Sequence, residues 1–156
     1  EKTKGEIIVF FDADGSHDSR DIPKMVSLLK KDQADLVVGS RRTGGSYDVR
    51  IDFIGMLRAA GADFLTMLVN RRFQVHLTDI LYSFRAIKKP IFEALKLRED
   101  GFEIEQERIV KCFHSGYRVV EIPSREKERG WGKSKLKTSA GLRFIISLLK
   151  NLYLEG

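Results

Sequence analysis

The chain has 156 residues, of which 42% are hydrophobic and 32% charged, with a formal net charge of +6. These numbers predict one globular domain with a sizeable core. A single cysteine, Cys112, excludes an internal disulfide and suits a reducing compartment, and no apolar run approaches the roughly 20 residues that span a bilayer.

The first predicted element is a strand, formed by the apolar run of residues 7–11, which we expect to be buried on both faces. Asp12 and Asp14 follow at once, where open α/β sheets bind ligands. Two carboxylates so close repel each other unless a positive group lies beside them. Mg²⁺ and Mn²⁺ take carboxylate oxygens and share them with substrate phosphates, so we predict a metal site. His17 would be a further ligand or a hydrogen-bonding neighbour. The alternative is that both acids are ordinary turn residues.

A helix is predicted near residues 21–31 and a buried strand at 34–40, which ends at Arg41 and Arg42. Strand, helix and strand in this spacing predict a βαβ unit with neighbouring parallel strands. The carboxylates of the first loop and the arginines of the second would then face one crevice, which suits a metal-bound diphosphate. The alternative for Arg41 is a surface ion pair with Asp12 or Asp14.

Residues 53–72 predict a long helix with a broad apolar face, for packing in the core or against a membrane-side neighbour. A loop carrying Asp79 then leads into a strand that ends near residue 87, and Pro90 opens a short helix to about residue 97. The next helix is predicted at residues 102–114, and Gly116 is the residue that stops it. The helix places Glu105 in its apolar stripe but Glu103 and Glu107 outside it. Glu105 must therefore be paired or liganded, unless solvent reaches the stripe edge.

A strand at residues 117–123 leads into a basic segment. Residues 124–137 hold six cations and two carboxylates. Phosphates, acidic lipid headgroups and nucleic acid would all suit this charge, and a solvated loop is the alternative. Residues 138–154 then predict an amphipathic helix, with Ile145, Ile146 and Leu149 on its apolar side and Ser147 and Asn151 opposite. Such a helix either packs on the core or lies on a membrane, and the basic neighbour favours the membrane.

Four segments together resemble the inverting GT-A glycosyltransferases of family 2, of the dolichyl-phosphate mannose synthase type. They are Phe-Asp-Ala-Asp at 11–14 with Ser-His at 16–17, Val-Val-Gly-Ser-Arg at 37–41, Thr-Asp at 78–79 with Ser-Phe-Arg-Ala at 83–86, and Phe-Glu-Ile-Glu at 102–105 followed by the stretch 116–134. The resemblance runs from about Gly5 to Leu136. Each segment alone is a weak signal, but all four occur in the family's order.

The resemblance implies roles for the matched residues. Asp12 and Asp14 would hold Mg²⁺ or Mn²⁺ on the diphosphate of a nucleotide-sugar donor, and Arg41 would face donor or acceptor phosphate. Asp79 matches the acid near the acceptor, a polyprenyl or dolichyl phosphate, where it serves as base or only orients. The segment with Arg129, Lys133 and Ser134 matches the loop that closes over the phosphates. Ser16 and Ser83 depart from the family's usual residues, and Ser83 replaces a glycine.

The implied fold is a partial, Rossmann-like GT-A sheet with flanking helices, with residues 1–137 as the carboxyl-terminal part of the domain and 138–156 as the amphipathic helix. The family's first strands, which hold the nucleotide base and ribose, have no counterpart after Glu1. We therefore expect the isolated chain to be inactive without such a half, or to be completed by dimerisation. We also expect it to be cytoplasmic and peripheral to the membrane.

Three alternatives to a transferase remain from the residues. One is a non-catalytic remnant or binding half-domain. Another is a phosphatase like the haloacid dehalogenases, whose first motif resembles residues 10–16, although their later Gly-Asp and Asp-Asp signals do not occur here. The third is a nucleic-acid binder, which is disfavoured because Trp131 is the only aromatic residue in the basic segment.

Overall fold

The computed structural model describes residues 4–46, 53–131 and 141–154, which form an α/β fold. In this part of the chain four strands make one sheet: β1 (Ile7–Phe10), β2 (Leu36–Ser40), β3 (Arg85–Lys88) and β4 (Val119–Pro123). The helices are α1 (Ile22–Lys30), α2 (Arg41–Gly44), α3 (Phe53–Phe73), α4 (Lys89–Ala94), α5 (Ile104–His114) and α6 (Gly141–Tyr153), and a 3₁₀ turn at Ser19–Asp21 precedes α1.

The strand order is β1-β3-β2-β4, with β3 antiparallel to both of its neighbours and β4 parallel to β2. β1 and β2 run in the same direction, but the prediction that they are neighbours is wrong, because β3 lies between them. A hydrophobic run does not specify which strand it pairs with, since every strand offers the same backbone donors and acceptors. The consequence is functional: β3 begins at the edge where the other three strands end.

β2 is buried on both faces, as predicted. Leu36 and Val38 face a large apolar cluster that includes Ile109 of α5 and Leu148 of α6. Val37 faces the opposite cluster, which α1 completes. The sheet therefore lies between α1 on one face and the helices α3, α5 and α6 on the other.

β1 is only half-buried, so the prediction that it is buried on both faces is wrong. Phe11 lies beyond the strand and is 41% exposed. Among the described residues, β1 has a strand neighbour on one side only, β3. Its composition is that of a central strand, but its position in the described sheet is an edge.

The apolar face of α3 is only partly used in the core. Leu65 and Val69 are buried, whereas Phe53, Leu57 and Phe64 are exposed. Core packing therefore holds in the carboxyl-terminal half of the helix, where Leu68 also packs partly against the cluster, and fails for the exposed residues. The other prediction, packing against a membrane-side neighbour, stays a prediction. None of the helices in the described ranges is long and apolar enough to cross a bilayer.

α6 is rotated relative to the predicted orientation. Leu148 and Leu152 are buried, but so are Ser147 and Asn151, which were expected on the polar side. Ser147 donates a hydrogen bond to Glu99, at 2.7 Å, so its burial leaves no unsatisfied hydroxyl. The rotation leaves four apolar side chains exposed along one stripe of the helix: Leu142, Ile146, Leu149 and Tyr153.

α5 ends as predicted, with Gly116 in the left-handed region at φ +73°. Glu107, predicted to lie outside the apolar stripe, is instead fully buried. Its carboxylate accepts backbone N–H groups of Arg98 and Glu99 and pairs with Lys111 at 2.7 Å. Helix periodicity could not show this, because the two backbone N–H donors belong to the loop after α4.

Candidate active site

One edge of the sheet gathers most of the predicted functional residues. The acidic turn follows β1, Arg41 follows β2, and the basic segment follows β4. Asp79 precedes β3, and because β3 is antiparallel its amino end lies at this same edge. Gly44, at the end of α2, lies so close to the backbone of Ser124 that any side chain there would clash. The loops after β2 and β4 are thus in direct contact.

Asp12 is held by its neighbours and remains half exposed. Its backbone N–H donates to Nδ1 of His17 at 3.0 Å, and the Ser83 hydroxyl donates to its carboxylate at 2.9 Å. His17 is buried and stacked on Phe84, and its burial lowers its pKa. The neutral ring thus accepts through Nδ1 and carries its proton on Nε2, 3.6 Å from the Asp12 carboxylate. His17 is therefore a hydrogen-bonding neighbour of Asp12.

The positive group expected beside the carboxylates is Arg129. Its guanidinium lies 2.8 Å from Oδ2 of Asp14. The other oxygen, Oδ1, accepts from the backbone N–H and the hydroxyl of Ser16, at 3.0 and 2.6 Å. Burial alone would raise the pKa of Asp14, but these hydrogen bonds and Arg129 hold it below its usual value.

Residues 124–131, here called the basic loop, pack directly on the acidic turn. The N–H of Gly130 donates to the carbonyl of Asp14 at 2.9 Å, and the N–H of Lys127 donates to that of Ser16 at 2.8 Å. Gly15 adopts φ +82° and meets the ring of Trp131. A side chain at this glycine would be strained by the backbone conformation, although its Cβ would make only an ordinary van der Waals contact with the indole. Of the predicted loop residues, Lys133 and Ser134 lie outside the described residues.

Arg41 and Asp79 form a two-pronged ion pair. Nε of Arg41 lies 2.7 Å from Oδ2 and its Nη2 lies 3.2 Å from Oδ1. The guanidinium also lies over the Tyr82 ring, 4.8 Å from the centroid, and 3.7 Å from the carboxylate of Glu126. The alternative that Arg41 pairs with Asp12 or Asp14 is therefore wrong.

The ion pair fixes the charge of both partners. Burial alone would raise the pKa of Asp79, but Arg41 and a hydrogen bond from the Leu81 N–H hold it below its usual value. The two carboxylates around Arg41 outweigh the cost of its burial and raise its pKa further. Asp79 is thus a carboxylate, and Arg41 a cation, throughout the physiological range.

The chemistry of the acidic turn fits a divalent cation that completes its coordination with substrate. Asp12 and Asp14 supply two carboxylates, and the guanidinium of Arg129 already lies where a cation is favoured. Within the described ranges, no group of three or more His, Cys, Asp or Glu residues could hold a metal ion. Mg²⁺ in proteins is usually held by one or two carboxylates together with waters and phosphate oxygens, and Asp12 and Asp14 would supply two carboxylates.

Glu105 lies between two buried arginines, one of which, Arg85, is the first residue of β3. Its carboxylate is 3.0 Å from Nε of Arg85 and 3.3 Å from Nη1 of Arg108. Arg85 also donates to the carbonyls of Ile80 and Tyr82, so it braces the loop that carries Asp79. Burial lowers the pKa of Arg108 to about 10 although Glu105 opposes this shift. Glu105 is paired, as the sequence required, but its partners belong to the core.

The sequence interpretation missed three residues of the site. Glu126 was counted only as an anion in a basic segment, and Tyr82 was read as part of a strand. Ser83 was noted as a departure from the family, and the structure now gives it a partner, the Asp12 carboxylate. That departure was the only sequence signal that pointed to any of these three residues.

The fold and this edge of carboxylates and arginines define a GT-A glycosyltransferase domain, and residues 1–96 match the family model "Glycosyl transferase family 2". The chain belongs to this family. The match decides against the phosphatase resemblance of residues 10–16, which rested on one motif.

Two relatives have names that specify an activity. The chain is 28% identical over 155 residues to a dolichol-phosphate mannosyltransferase of Pyrococcus furiosus, an alignment that covers 99% of this chain and 43% of the relative. It is 30% identical over 135 residues to an undecaprenyl-phosphate mannosyltransferase of Micrococcus luteus, covering 84% of this chain and 53% of the relative. The chain thus spans about half the length of these relatives.

Solved structures of glucosyl-3-phosphoglycerate synthase from Mycobacterium tuberculosis share the fold. One, in complex with Mn²⁺, UDP and glucosyl-3-phosphoglycerate, superposes with a TM-score of 0.68 at 16% identity and covers 96% of this chain and 50% of that one. Another, with Mg²⁺ and UDP, has a TM-score of 0.67 at 16% identity and the same coverage. At this identity the likeness establishes the fold alone.

Proposed function

We propose that this chain is part of a metal-dependent, inverting glycosyltransferase that moves a sugar from a nucleotide-sugar donor to a polyprenyl phosphate. The family membership supports sugar transfer, and the names of the two mannosyltransferase relatives support the acceptor. Mannose is the sugar that these names favour, and glucose or a similar hexose is the alternative.

The observation that carries the acceptor class is the ion pair between Arg41 and Asp79. A hydroxyl acceptor needs a general base whose pKa lies near the working pH. Asp79 is engaged through both oxygens and its pKa is held low, which makes it a weak base. A phosphate monoester, with a second pKa of about 6, is already mostly a dianion at pH 7 and needs no base. We therefore assign Asp79 to orienting Arg41, and Arg41 to attracting phosphate.

On the donor side, Asp12 and Asp14 would hold Mg²⁺ or Mn²⁺, which neutralises negative charge on a diphosphate leaving group. Arg129 of the basic loop lies beside that position and would bind phosphate oxygens. Lys133 and Ser134 are proposed to contribute from the residues that follow. Inversion requires acceptor and leaving group on opposite sides of the anomeric carbon, and the Arg41 and Asp14 clusters offer two separate phosphate positions at one sheet edge.

We also propose that α6 rests on the membrane surface. Its exposed stripe is apolar, and the basic segment precedes it in the chain. An apolar face together with cations supplies the two signals that peripheral attachment to an anionic bilayer requires. A polyprenyl phosphate keeps its tail in the bilayer, so the enzyme must bind its phosphate at the bilayer surface. The cytoplasmic face remains part of this proposal.

The acceptor is tested by supplying a short polyprenyl phosphate and the matching polyprenol with GDP- or UDP-sugars and Mn²⁺. The chain is assayed alone and together with any residues that its gene encodes before Glu1. We expect sugar transfer to the polyprenyl phosphate only. We also expect no fall in the transfer rate near neutral pH that protonation of Asp79 would explain. Transfer to the polyprenol, at a rate that changes with pH near pH 7, would contradict the assignment of Asp79. Binding of nucleotide without transfer in either form would favour the non-catalytic half-domain.

A further inference from the structure

We propose that Glu121 is a positioning residue that fixes the Arg41–Asp79 pair from both sides. The inference rests on the proposed function in one respect only, the assignment of that pair to substrate phosphate. Glu121 belongs to β4 and lies within the stretch that resembles the family, but the resemblance implies no role for it.

The position of Glu121 in the sheet is unusual for a carboxylate. It is paired in register with Val38 of β2, which faces the large apolar cluster, so the two side chains share that face of the sheet. Its strand neighbours Val120 and Ile122 pack on the opposite face, against the α1 cluster. A charge on a core-facing strand position is costly unless hydrogen bonds satisfy it.

Three hydrogen bonds satisfy the Glu121 carboxylate, and all of them come from Thr78 and Asp79. Oε2 accepts the backbone N–H of Thr78 at 2.7 Å and that of Asp79 at 3.1 Å. Oε1 accepts the Thr78 hydroxyl at 2.6 Å. The carboxylate therefore fixes the peptide groups directly before the Asp79 side chain, which sets the direction in which that side chain leaves the backbone.

The same carboxylate acts on Arg41 through a relay of hydroxyls. The Thr78 hydroxyl lies 2.6 Å from that of Ser40, and since Thr78 donates to Glu121, Ser40 donates to Thr78. The Ser40 oxygen in turn caps α2 by accepting the N–H groups of Arg42 and Thr43. Arg41 is the first residue of α2. Glu121 thus orients Asp79 through the backbone before its side chain, and it orients Arg41 through the cap of α2.

A purely structural role would be to satisfy backbone N–H groups, and Glu107 provides the matched control. It is a fully buried carboxylate that, like Glu121, accepts two successive backbone N–H groups, those of Arg98 and Glu99. It lies in α5 and makes no recorded contact with Arg41 or Asp79. Glu121→Gln and Glu107→Gln each remove one negative charge and replace one acceptor oxygen by an amide NH₂ group. Glu107→Gln also breaks the ion pair with Lys111, but only Glu121 lies next to the Arg41–Asp79 pair.

The test is the ¹H–¹⁵N signal of the Arg41 Nε–H group, which donates to Asp79 at 2.7 Å. The signal is assigned by its loss in Arg41→Lys. We expect it to move upfield and exchange faster with water in Glu121→Gln, and to stay in place in Glu107→Gln although both variants melt at lower temperature. Thr78→Val, which removes only the hydroxyl, should shift it less and in the same direction, and it serves if Glu121→Gln does not fold.

An Arg41 signal unchanged in both Glu121→Gln and Thr78→Val would overturn the inference. In an active preparation, Glu121→Gln should lower kcat/KM by about 10²-fold, and the double variant with Asp79→Asn should be no worse than Asp79→Asn alone. Additive losses would also contradict it. If Asp79→Asn leaves transfer to the phosphate acceptor unchanged, the proposed function fails, whereas the spectroscopic result still decides the positioning role.

Discussion

Arg129 and Asp14 are joined by an ion pair of 2.8 Å across the acidic turn. The basic loop thus places its own cation where we propose that a metal ion binds. The two cations would share one carboxylate and repel each other. Unit charges about 4 Å apart near a protein surface interact by about 4 kcal/mol. The Arg129 side chain is 37% exposed, so solvent screens the repulsion to a fraction of that energy.

The first prediction is that Arg129→Gln raises the affinity for Mn²⁺ by about tenfold. Relief of about a third of the roughly 4 kcal/mol repulsion between the two cations corresponds to a tenfold change in affinity. Calorimetric titration with Mn²⁺ alone measures it. The chain's single tryptophan, Trp131, reports independently, because its ring lies beside Gly15 of the acidic turn and its fluorescence should change on metal binding. Lys127→Gln is the control, with the same charge change in the same loop but a partner, Asp18, outside the site. If both variants gained Mn²⁺ affinity equally, the effect would be due to net charge and not to the Arg129–Asp14 pair.

The second prediction concerns the two carboxylates of the turn. Asp12→Asn and Asp14→Asn should each abolish Mn²⁺ binding, but their effects on stability should differ. Asp12 is half exposed, so Asp12→Asn should leave the melting temperature unchanged. Asp14 is paired with Arg129 and bonded to Ser16, so Asp14→Asn should lower it. Repulsion alone would have predicted a gain in stability for both variants, so thermal melts decide between the two views. Mn²⁺ affinity retained in both would refute the metal site.

The sequence was sufficient for the elements whose patterns are local. The strand β2, the helix α1 with Met25 and Leu29 inward, and the stop at Gly116 all follow from short-range periodicity and backbone preference. The predicted βαβ unit also placed Asp12, Asp14 and Arg41 at one edge of the sheet, although the two strands that they follow are not neighbours. These features need no knowledge of distant contacts.

The relationships that the sequence could not provide all depend on residues far apart in the chain. The insertion of β3 between β1 and β2 is one, and the burial of Glu107 is another. The partner of Arg41 is a third, because Asp79 is 38 residues away and reaches it only through the antiparallel direction of β3. A pattern within one segment states which side chains need partners, but it does not identify them.

The third prediction tests an ion cluster at the opposite end of the sheet. The Asp35 carboxylate is bonded by Lys88 at 2.7 Å and by the backbone N–H and Nε of Arg118 at 2.9 and 3.1 Å. Burial alone would raise the pKa of Asp35, but these partners hold it far below its usual value. A carboxyl with a depressed folded-state pKa stabilises the fold above its unfolded value of about 3.8, and that contribution is lost as the pH falls further.

Asp35→Asn should therefore destabilise the fold by about 1.5–3 kcal/mol at pH 7, the range for hydrogen bonds to charged groups, and by progressively less below about pH 4. Urea unfolding at pH 7, 5 and 3 measures the difference. Asp32→Asn is the control, because Asp32 pairs with the same two cations but its side chain is 73% exposed, and we expect a much smaller effect. A deficit for Asp35→Asn that does not narrow at pH 3 would contradict the linkage to this carboxyl.

The last prediction is that α6 binds anionic membranes through its exposed stripe. Ile145 packs partly against the core, so the informative variant is Ile146→Asp with Leu149→Asp, two residues that the core does not use. We expect the chain to co-sediment with liposomes containing anionic lipid at low salt, to be released at high salt, and to lose binding in this variant. Lys24→Ala with Lys30→Ala makes the same change in net charge on α1, on the other face of the sheet, and should bind nearly as well as the unaltered chain. Equal loss in both variants would attribute binding to net charge, and no binding under any condition would refute the membrane contact.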